Sequence, residues 1–261
     1  MIRTSQTDLM IALRTLALPA GHVYVVHSSL LKLGLIEGGL KGVMQCLWDV
    51  LGHDATILMP TFTFAFGRTR VWDYHQTRSE TGALTEYFRK LPGALRTIHP
   101  FHSLAAIGPR AHQFAQCAGL SSFGPGSPFA LLYDMEAIDI AIGLDLVGGA
   151  TFLHHTEEEA QVPYRFYKEF PGDVSDQHGK KLPNTYKLYV REINDTYEYD
   201  NIWGHVRDDL AADGLLIQGK LNGAPMVAFR IKPTHDRFLA RMQADPYYCA
   251  AKQMIEPIGQ K

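Results

Sequence analysis

The feature that most constrains the fold is a long apolar segment near the middle of the chain, AIDIAIGLDLV at 137–147. A nearly continuous apolar run is typical of a strand that is covered on both faces. Two shorter runs, HVYVVHS at 22–28 and ATILMP at 55–60, have the same character, and the segment between them, 38–51, has apolar residues at helical spacing. This order predicts an α/β fold with a central, mostly parallel or mixed sheet flanked by helices.

The rest of the chain predicts one domain over residues 1–261, because there is no internal repeat and no linker. After residue 182 the pattern changes. An alternating strand is expected at 186–193, and a hairpin at 215–231 with Asn222-Gly223 as its turn. We therefore expect a smaller β-rich C-terminal extension of the same domain at 182–261.

The composition narrows the classes of function. A net charge of −2 and a pI near 6.6 leave no basic field for nucleic acid, so a small-molecule partner is expected. Three widely spaced cysteines, Cys46, Cys117 and Cys249, make neither a disulfide framework nor a zinc site. No apolar run has the length of a membrane span. We expect a cytoplasmic monomer or homodimer with no membrane partner.

The densest group of chemically active side chains is GGATFLHHTEEEAQVPYRFYK at 148–168. Thr151 is expected to cap a helix on which His154 and Glu157, three residues apart, share a face. An imidazole with a carboxylate beside it can act as a general base, because the anion fixes the tautomer and stabilises the cation. Such a pair can also merely solvate a helix start, and His155 leaves the position of the base ambiguous by one residue.

A second polar cluster is RTIHPFHS at 96–103, and a third is the glycine- and proline-rich FGPGSP at 123–128. His99 and His102 could bind a metal ion. No cysteine or acidic residue stands beside them at ligand spacing, so we expect no metal. The usual nucleotide-binding motifs are absent from the sequence, because no Lys-Ser/Thr follows the glycines and no G-x-G-x-x-G opens a helix.

Six motifs in this order resemble the aminoglycoside 3-N-acetyltransferase family. They are HSSL at 27–30, MPTF at 59–62, TGALTEYFR at 81–89, RTIHPFHS at 96–103, FGPGSP at 123–128 and TFLHHTEE at 151–158. The likeness covers about the first two thirds of the chain and becomes loose after Lys181. It implies an α/β/α-type fold and an acyltransferase that moves an acyl group from coenzyme A to a sugar amine.

The resemblance also assigns roles to residues. It places the catalytic histidine on His154, its acidic partner on Glu157, and the coenzyme A region on the clusters at 28–29, 96–103 and 127–128. Arginine and backbone amides suit phosphates, an apolar groove suits the pantetheine arm, and the amides of Ser28 and Ser29 are candidates for the oxyanion. The residues expected to bind the acyl-coenzyme A co-substrate are Ser28, Ser29, Phe62, Arg96, His99, His102, Ser103, Phe123 and Ser127.

The acceptor is less constrained than the donor. Tyr164, Arg165, Tyr167 and Lys168 combine aromatic faces with cations, which suits a nucleobase and a diphosphate. We therefore expect a nucleotide-linked amino sugar, such as a dTDP-linked 3-amino-3,6-dideoxyhexose used for surface polysaccharide. Glu158 and Glu159 could instead bind a polycation, as an aminoglycoside acetyltransferase of antibiotic resistance requires. Two further alternatives are a metal-dependent hydrolase and a binding domain without catalysis.

Overall fold

A computed structural model describes residues 2–255 of the protein. Its strands are β1 (Arg3–Thr4), β2 (Val23–Ser28), β3 (Leu35–Ile36), β4 (Thr56–Pro60), β5 (Val71–Asp73), β6 (Leu95–Arg96), β7 (Leu104–Ile107), β8 (Ile138–Ile142), β9 (Arg165–Phe170), β10 (Asp173–Ser175), β11 (Lys181–Leu182), β12 (Tyr186–Arg191), β13 (Tyr197–Asn201), β14 (Leu216–Leu221), β15 (Ala224–Arg230) and β16 (Ala250–Met254).

The helices connect these strands. They are α1 (Gln6–Arg14), α2 (Gly39–Leu51), α3 (Phe66–Thr69), α4 (Ala83–Phe88), α5 (Ala111–Ala115), α6 (Pro128–Asp134), α7 (Leu146–Gly149), α8 (Leu153–Glu159), α9 (Trp203–Ala212) and α10 (Ile231–Ala244), and a 3₁₀ turn spans Leu30–Leu33. Among the described residues, no helix is both long enough and apolar enough to cross a bilayer.

Seven strands form the main sheet, in the order β14-β15-β8-β2-β4-β7-β6. The three central strands β8, β2 and β4 run parallel, and the strands on either side of them pair antiparallel. The α/β fold with a mixed central sheet is thus confirmed.

The sheet is covered on both faces, as the apolar runs predicted. In β2, Val23 and Val25 face the core beneath α6, α8 and α10, whereas Tyr24 and Val26 face the core beneath α1, α2 and α4. Because successive side chains of a strand point to opposite faces, a strand buried on both sides must be apolar throughout. The resulting layers are helix, sheet and helix, as the family resemblance implied.

The segment expected as one strand at 137–147 divides into β8 and α7. Gly143 makes the break, with a φ of 72° that favours glycine. A Cβ at this position would lie 2.5 Å from the carbonyl oxygen of Ser29, so only glycine lets the ends of β8 and β2 approach so closely. Thr151 does not cap α8, which begins at Leu153 with no side-chain cap. Asp145 caps α7 instead.

The C-terminal region contributes to both the main sheet and smaller ones. The hairpin β14-β15 turns at Asn222 and Gly223, both with positive φ, as predicted, but β15 pairs with β8 and extends the main sheet. The pairs β9-β12 and β13-β16 are separate two-stranded sheets. Because β9 precedes residue 182, these sheets do not coincide with the β-rich extension expected at 182–261, which stays a prediction.

Candidate active site

The expected catalytic residues meet where the parallel strands end. The segments after β2, β4 and β8 reach the same edge of the main sheet, which is where α/β proteins bind ligands. A cavity of about 330 Å³ lies at this edge, and its walls include Ser28, Phe62, His102 and His154. Residues from four separate sequence motifs therefore line one cavity.

His154 and Glu157 form the pair that the sequence predicted. Both lie on α8, and Nδ1 of His154 is 2.5 Å from Oε2 of Glu157. Because an ionised carboxylate only accepts hydrogen bonds, Nδ1 carries the proton and Nε2 is left as the basic nitrogen. The imidazole is 26% exposed, whereas the carboxylate is fully buried. A substrate can thus reach the histidine but not the group that orients it.

Two further side chains hold Glu157. The hydroxyl of Tyr164 donates to Oε1 at 2.7 Å, and Nη2 of Arg165 is 3.0 Å from Oε2. Burial alone would raise the pKa of Glu157, but the charge and hydrogen bond of His154, then Arg165 and Tyr164, lower that pKa to about 2. When His154 is neutral its charge no longer contributes, so Arg165 and Tyr164 keep the carboxylate ionised.

The pKa of His154 is lowered from its usual 6.5. Burial is the main cause, and the charge and hydrogen bond of Glu157 oppose it, while the charges of Arg165 and Arg191 lower the pKa further. The imidazole is therefore neutral near pH 7, which is the form that accepts a proton.

The surroundings of His155 differ from those of His154. It is 7% exposed, and its Nδ1 is bonded to the carbonyl oxygen of Phe123, on the other side of α8 from Glu157. Its side chain does not line the cavity at the sheet edge. The geometry thus favours His154 as the base.

Two of the expected coenzyme A residues, Ser28 and Ser29, line a second cavity of about 670 Å³ together with Leu30 and Leu31. Ser28 lines both cavities, so the two adjoin at this residue. The backbone N–H of Ser29 donates to the carbonyl oxygen of Ile142 at 2.8 Å, so it is not free for an oxyanion, contrary to expectation.

Aromatic rings and His102 form the wall beside His154. The ring of Phe123 lies 5.4 Å from that of His154 and 4.7 Å from that of His102, which in turn packs on Phe62 at 4.8 Å. Nδ1 of His102 is 2.7 Å from the hydroxyl of Ser122. Burial, with the charges of His99 and His154, lowers the pKa of His102 well below its usual value. This wall therefore consists of aromatic rings and a histidine that is uncharged near pH 7.

Arg96 lies inside the protein, with 3% exposure. Its guanidinium donates to the carbonyl oxygens of Tyr74, Thr77 and Thr61 at 2.7 to 3.2 Å. Its Nε is 3.1 Å from the hydroxyls of Thr61 and Ser103. Burial and the nearby charge of Arg89 lower the pKa of Arg96 to about 9. Since its donors already have partners, the structure does not favour the expected contact of Arg96 with coenzyme A phosphates.

Three other residues expected at coenzyme A are also internal. His99 accepts from the backbone N–H of His102 at 3.2 Å, and burial lowers its pKa to about 3. Ser103 donates to the carbonyl oxygen of Thr61 at 2.9 Å. Ser127 caps α6 by accepting from the N–H of Ala130 at 3.2 Å. These side chains hold the loops that shape the site, and a direct contact with coenzyme A is not favoured.

The residues expected to bind the acceptor separate into two groups. Tyr164 is fully buried, and the side chain of Arg165 is 8% exposed and also contacts Asn201. Both therefore position Glu157 rather than lie open to a ligand. Tyr167 is 41% exposed and Lys168 is exposed beside it on β9. Their contact with an acceptor stays a prediction.

Sequence reasoning missed two site residues. Trp203, at the start of α9, has its ring 5.6 Å from that of His154 in an edge-to-face arrangement. Asn201 accepts from Arg165 at 3.2 Å. Both lie more than 40 residues downstream of His154 in a region without a motif, so no local signal marks them.

Comparison with known proteins found matches of both sequence and fold. The family model described as aminoglycoside 3-N-acetyltransferase matches residues 25–243. The SPbeta prophage-derived aminoglycoside N(3')-acetyltransferase-like protein YokD of Bacillus subtilis (strain 168) is 28% identical over 176 residues, which are 59% of this chain and 64% of YokD. Aminoglycoside N(3)-acetyltransferase IV of Salmonella sp is 29% identical over 160 residues, 61% of this chain and 60% of that protein. The chain thus covers less than two thirds of the length of these two relatives.

A longer match and two solved structures extend the likeness. Aminoglycoside N(3)-acetyltransferase III of Pseudomonas aeruginosa is 25% identical over 245 residues, 86% of this chain and 88% of that protein. The crystal structure of aminoglycoside acetyltransferase AAC(3)-Xa superposes with a TM-score of 0.80 at 22% identity, over 92% of this chain and 93% of that one. AAC-IIIb, in a binary complex with CoASH, has a TM-score of 0.77 at 23% identity, over 93% and 97%. The structures share the fold.

Proposed function

Because this chain belongs to the aminoglycoside 3-N-acetyltransferase family, we propose that it is a coenzyme A-dependent N-acetyltransferase whose acceptor is an aminoglycoside. The observation that carries this proposal is the neutral, partly exposed imidazole of His154 at the rim of the cavity, with its Nδ1 on the buried carboxylate of Glu157. That arrangement suits the deprotonation of an amine during its attack on a thioester.

In the proposed reaction, Nε2 of His154 takes a proton from the acceptor amine as the amine attacks. The thioester supplies the activated acyl carbon: a carbon–nitrogen bond forms, the carbon–sulfur bond breaks, and the departing thiolate takes up the proton that His154 received. Glu157 stabilises the imidazolium that forms, and Tyr164 and Arg165 keep Glu157 ionised and in place. General-base catalysis of this kind contributes roughly 10²- to 10⁴-fold to the rate.

The two adjoining cavities offer space for the apolar part of coenzyme A. Leu30 and Leu31 beside the 670 Å³ cavity give the hydrophobic surface that a pantetheine arm requires, and Ser28 connects that cavity to the one at His154. We propose that the arm lies along Ser28 and Ser29, with the thioester directed toward His154. In this proposal Arg96 does not contact the co-substrate, because its donors already have partners within the protein.

The nucleotide-linked acceptor expected from the sequence is not supported. The relatives reported above are described as aminoglycoside acetyltransferases or as similar to them. Within 164–168, Tyr164 and Arg165 also face Glu157. Two of the four aromatic and cationic residues that suggested a diphosphate therefore contact Glu157 and are not open to an acceptor.

The test is to measure thiol release from acetyl-coenzyme A with gentamicin and with a dTDP-linked 3-amino sugar, at two salt concentrations. We expect a higher kcat/KM for gentamicin, and mass spectrometry should show one added acetyl group. A higher kcat/KM for the nucleotide sugar would restore the first expectation. Thiol release that does not depend on any amine would point to a hydrolase.

A further inference from the structure

Two histidines and a glutamate outside the proposed reaction converge beside a different cavity. His155 and Glu159 are one helical turn apart on α8, and His235 comes from α10. Nε2 of His235 is 3.1 Å from Oε2 of Glu159, and Nε2 of His155 is 3.8 Å from the same oxygen. One ligand atom from each residue lies within 4.8 Å of the other two. The cluster thus joins two helices that pack on the same face of the sheet.

The hydrogen bonds around the cluster direct both Nε2 atoms toward Glu159. Nδ1 of His155 is 2.5 Å from the carbonyl oxygen of Phe123, which only accepts, so this nitrogen carries the proton. Nδ1 of His235 is 3.2 Å from a carboxylate oxygen of Asp236. A histidine that binds a metal almost always has its other nitrogen bonded to a carbonyl or carboxylate in this way.

Hydrogen bonding within the protein does not account for the whole cluster. His235 lies within hydrogen-bonding distance of both Glu159 and Asp236, at 3.1 and 3.2 Å. Nε2 of His155, in contrast, faces the same carboxylate oxygen of Glu159 at 3.8 Å, which is too long for a hydrogen bond. A cation placed between the three ligand atoms would satisfy all of them.

We propose that His155, Glu159 and His235 bind a divalent transition-metal ion, with Zn²⁺ as the first candidate. Ligand atoms about 2.0–2.2 Å from a tetrahedral zinc ion lie roughly 3.4 Å from one another. The two separations that involve Glu159, 3.1 and 3.8 Å, lie on either side of that spacing, and the two histidine ligand atoms lie within 4.8 Å of each other. Two imidazoles and one carboxylate suit zinc, whereas magnesium and calcium prefer oxygen ligands throughout. A cavity of about 730 Å³, lined by His155 and Glu159, lies beside the cluster and would give an ion access to it.

The ion would tie α8 to α10. Because α8 also carries His154 and Glu157, it would fix the helix that holds the catalytic pair without taking part in the reaction. The sequence led us to expect no metal, since His235 lies 76 residues beyond Glu159 and no motif connects the two.

The test uses the full-length protein after dialysis against a chelator. It is titrated calorimetrically with ZnCl₂ alone, and its thermal unfolding is followed with and without the ion. We expect one Zn²⁺ bound per chain and a Tm that rises with zinc concentration, because an ion that binds only the folded state stabilises it. In the Co²⁺-loaded protein, the visible absorption of a tetrahedral site should appear.

Three variants make the test specific. Glu159→Gln keeps the shape of an exposed side chain and should weaken Zn²⁺ binding at least tenfold, and His235→Ala should weaken it further. The control is His178→Ala, an exposed histidine in a turn, which should bind zinc as the wild type does. Absence of binding by the wild type overturns the proposal, as does equal affinity in Glu159→Gln. If His235→Ala does not fold, Glu159→Gln alone decides.

Discussion

At the scale of single residues, His154 should carry the chemical step. We expect His154→Ala to lower kcat by roughly 10²- to 10⁴-fold and to leave the KM for acetyl-coenzyme A nearly unchanged, because only the proton acceptor is removed. Steady-state kinetics of thiol release would measure this. His178→Ala, in an exposed turn away from the cavity, is the control. Wild-type turnover in His154→Ala, with a loss in His155→Ala, would move the assignment by one residue.

The charge of Arg165 should contribute, together with the larger effect of burial, to the pH dependence of the rate. The pKa of His154 is lowered from 6.5, so the neutral base persists below that pH and kcat/KM should fall only on further acidification. Arg165 lies 3.3 Å from Nδ1 of His154 and lowers its pKa, so Arg165→Ala should shift the acid limb to higher pH. Arg165→Lys keeps a charge and should shift it less. A limb that stays in place in Arg165→Ala would contradict the proposed coupling.

At the scale of secondary-structure elements, the turn between β8 and α7 positions the site. Gly143→Ala places a Cβ 2.5 Å from the carbonyl oxygen of Ser29 at a φ of 72°. We expect a loss of more than about 1 kcal/mol in the free energy of unfolding, measured with urea, because both the backbone and the contact are strained.

The matched control is Gly204→Ala, in α9. A Cβ there meets nothing within 4 Å, and its φ is not positive. Because alanine favours helix over glycine by about 1 kcal/mol, this variant should be unchanged or more stable. If the two variants lost stability equally, the close approach of β8 and β2 would not explain the need for glycine at position 143.

At the scale of the whole molecule, the sequence predicts helices, strands and pairs of residues close in the chain. It does not predict contacts between residues that are far apart in the chain. The pair His154 and Glu157 and the buried central strands could be predicted, because helical spacing and apolar runs are visible in the sequence itself. The burial of Arg96 could not be predicted, because its partners come from segments about 20 and 35 residues away. In the sequence, an arginine in a polar loop gives no sign of whether its partner is a phosphate or a carbonyl oxygen. His235 and Trp203 were missed for the same reason.

For Arg96, the sequence and the structure therefore lead to opposite predictions. Its guanidinium joins the edge of the main sheet to the segment after β5, through the carbonyl oxygens of Tyr74 and Thr77, and lies over the ring of Trp72 at 4.7 Å. Removal leaves the part-buried carbonyl oxygens of Tyr74 and Thr77 without this donor, each at a cost of about 1–3 kcal/mol, and takes one of two donors from the carbonyl oxygen of Thr61. We expect Arg96→Ala to lower the free energy of unfolding by at least about 3 kcal/mol, measured with urea.

Arg68→Ala, at an exposed position on α3, is the control and should change stability by less than about 0.5 kcal/mol. In Arg96→Lys, the charge remains but the fork of donors is lost, so most of the instability should persist. If Arg96 instead bound the phosphates of coenzyme A, Arg96→Ala would have normal stability and a raised KM for acetyl-coenzyme A. Arg96→Lys would then restore part of that KM. Urea unfolding and steady-state kinetics of Arg96→Ala and Arg96→Lys thus distinguish a residue that holds the main sheet to the segment after β5 from a residue that binds the co-substrate.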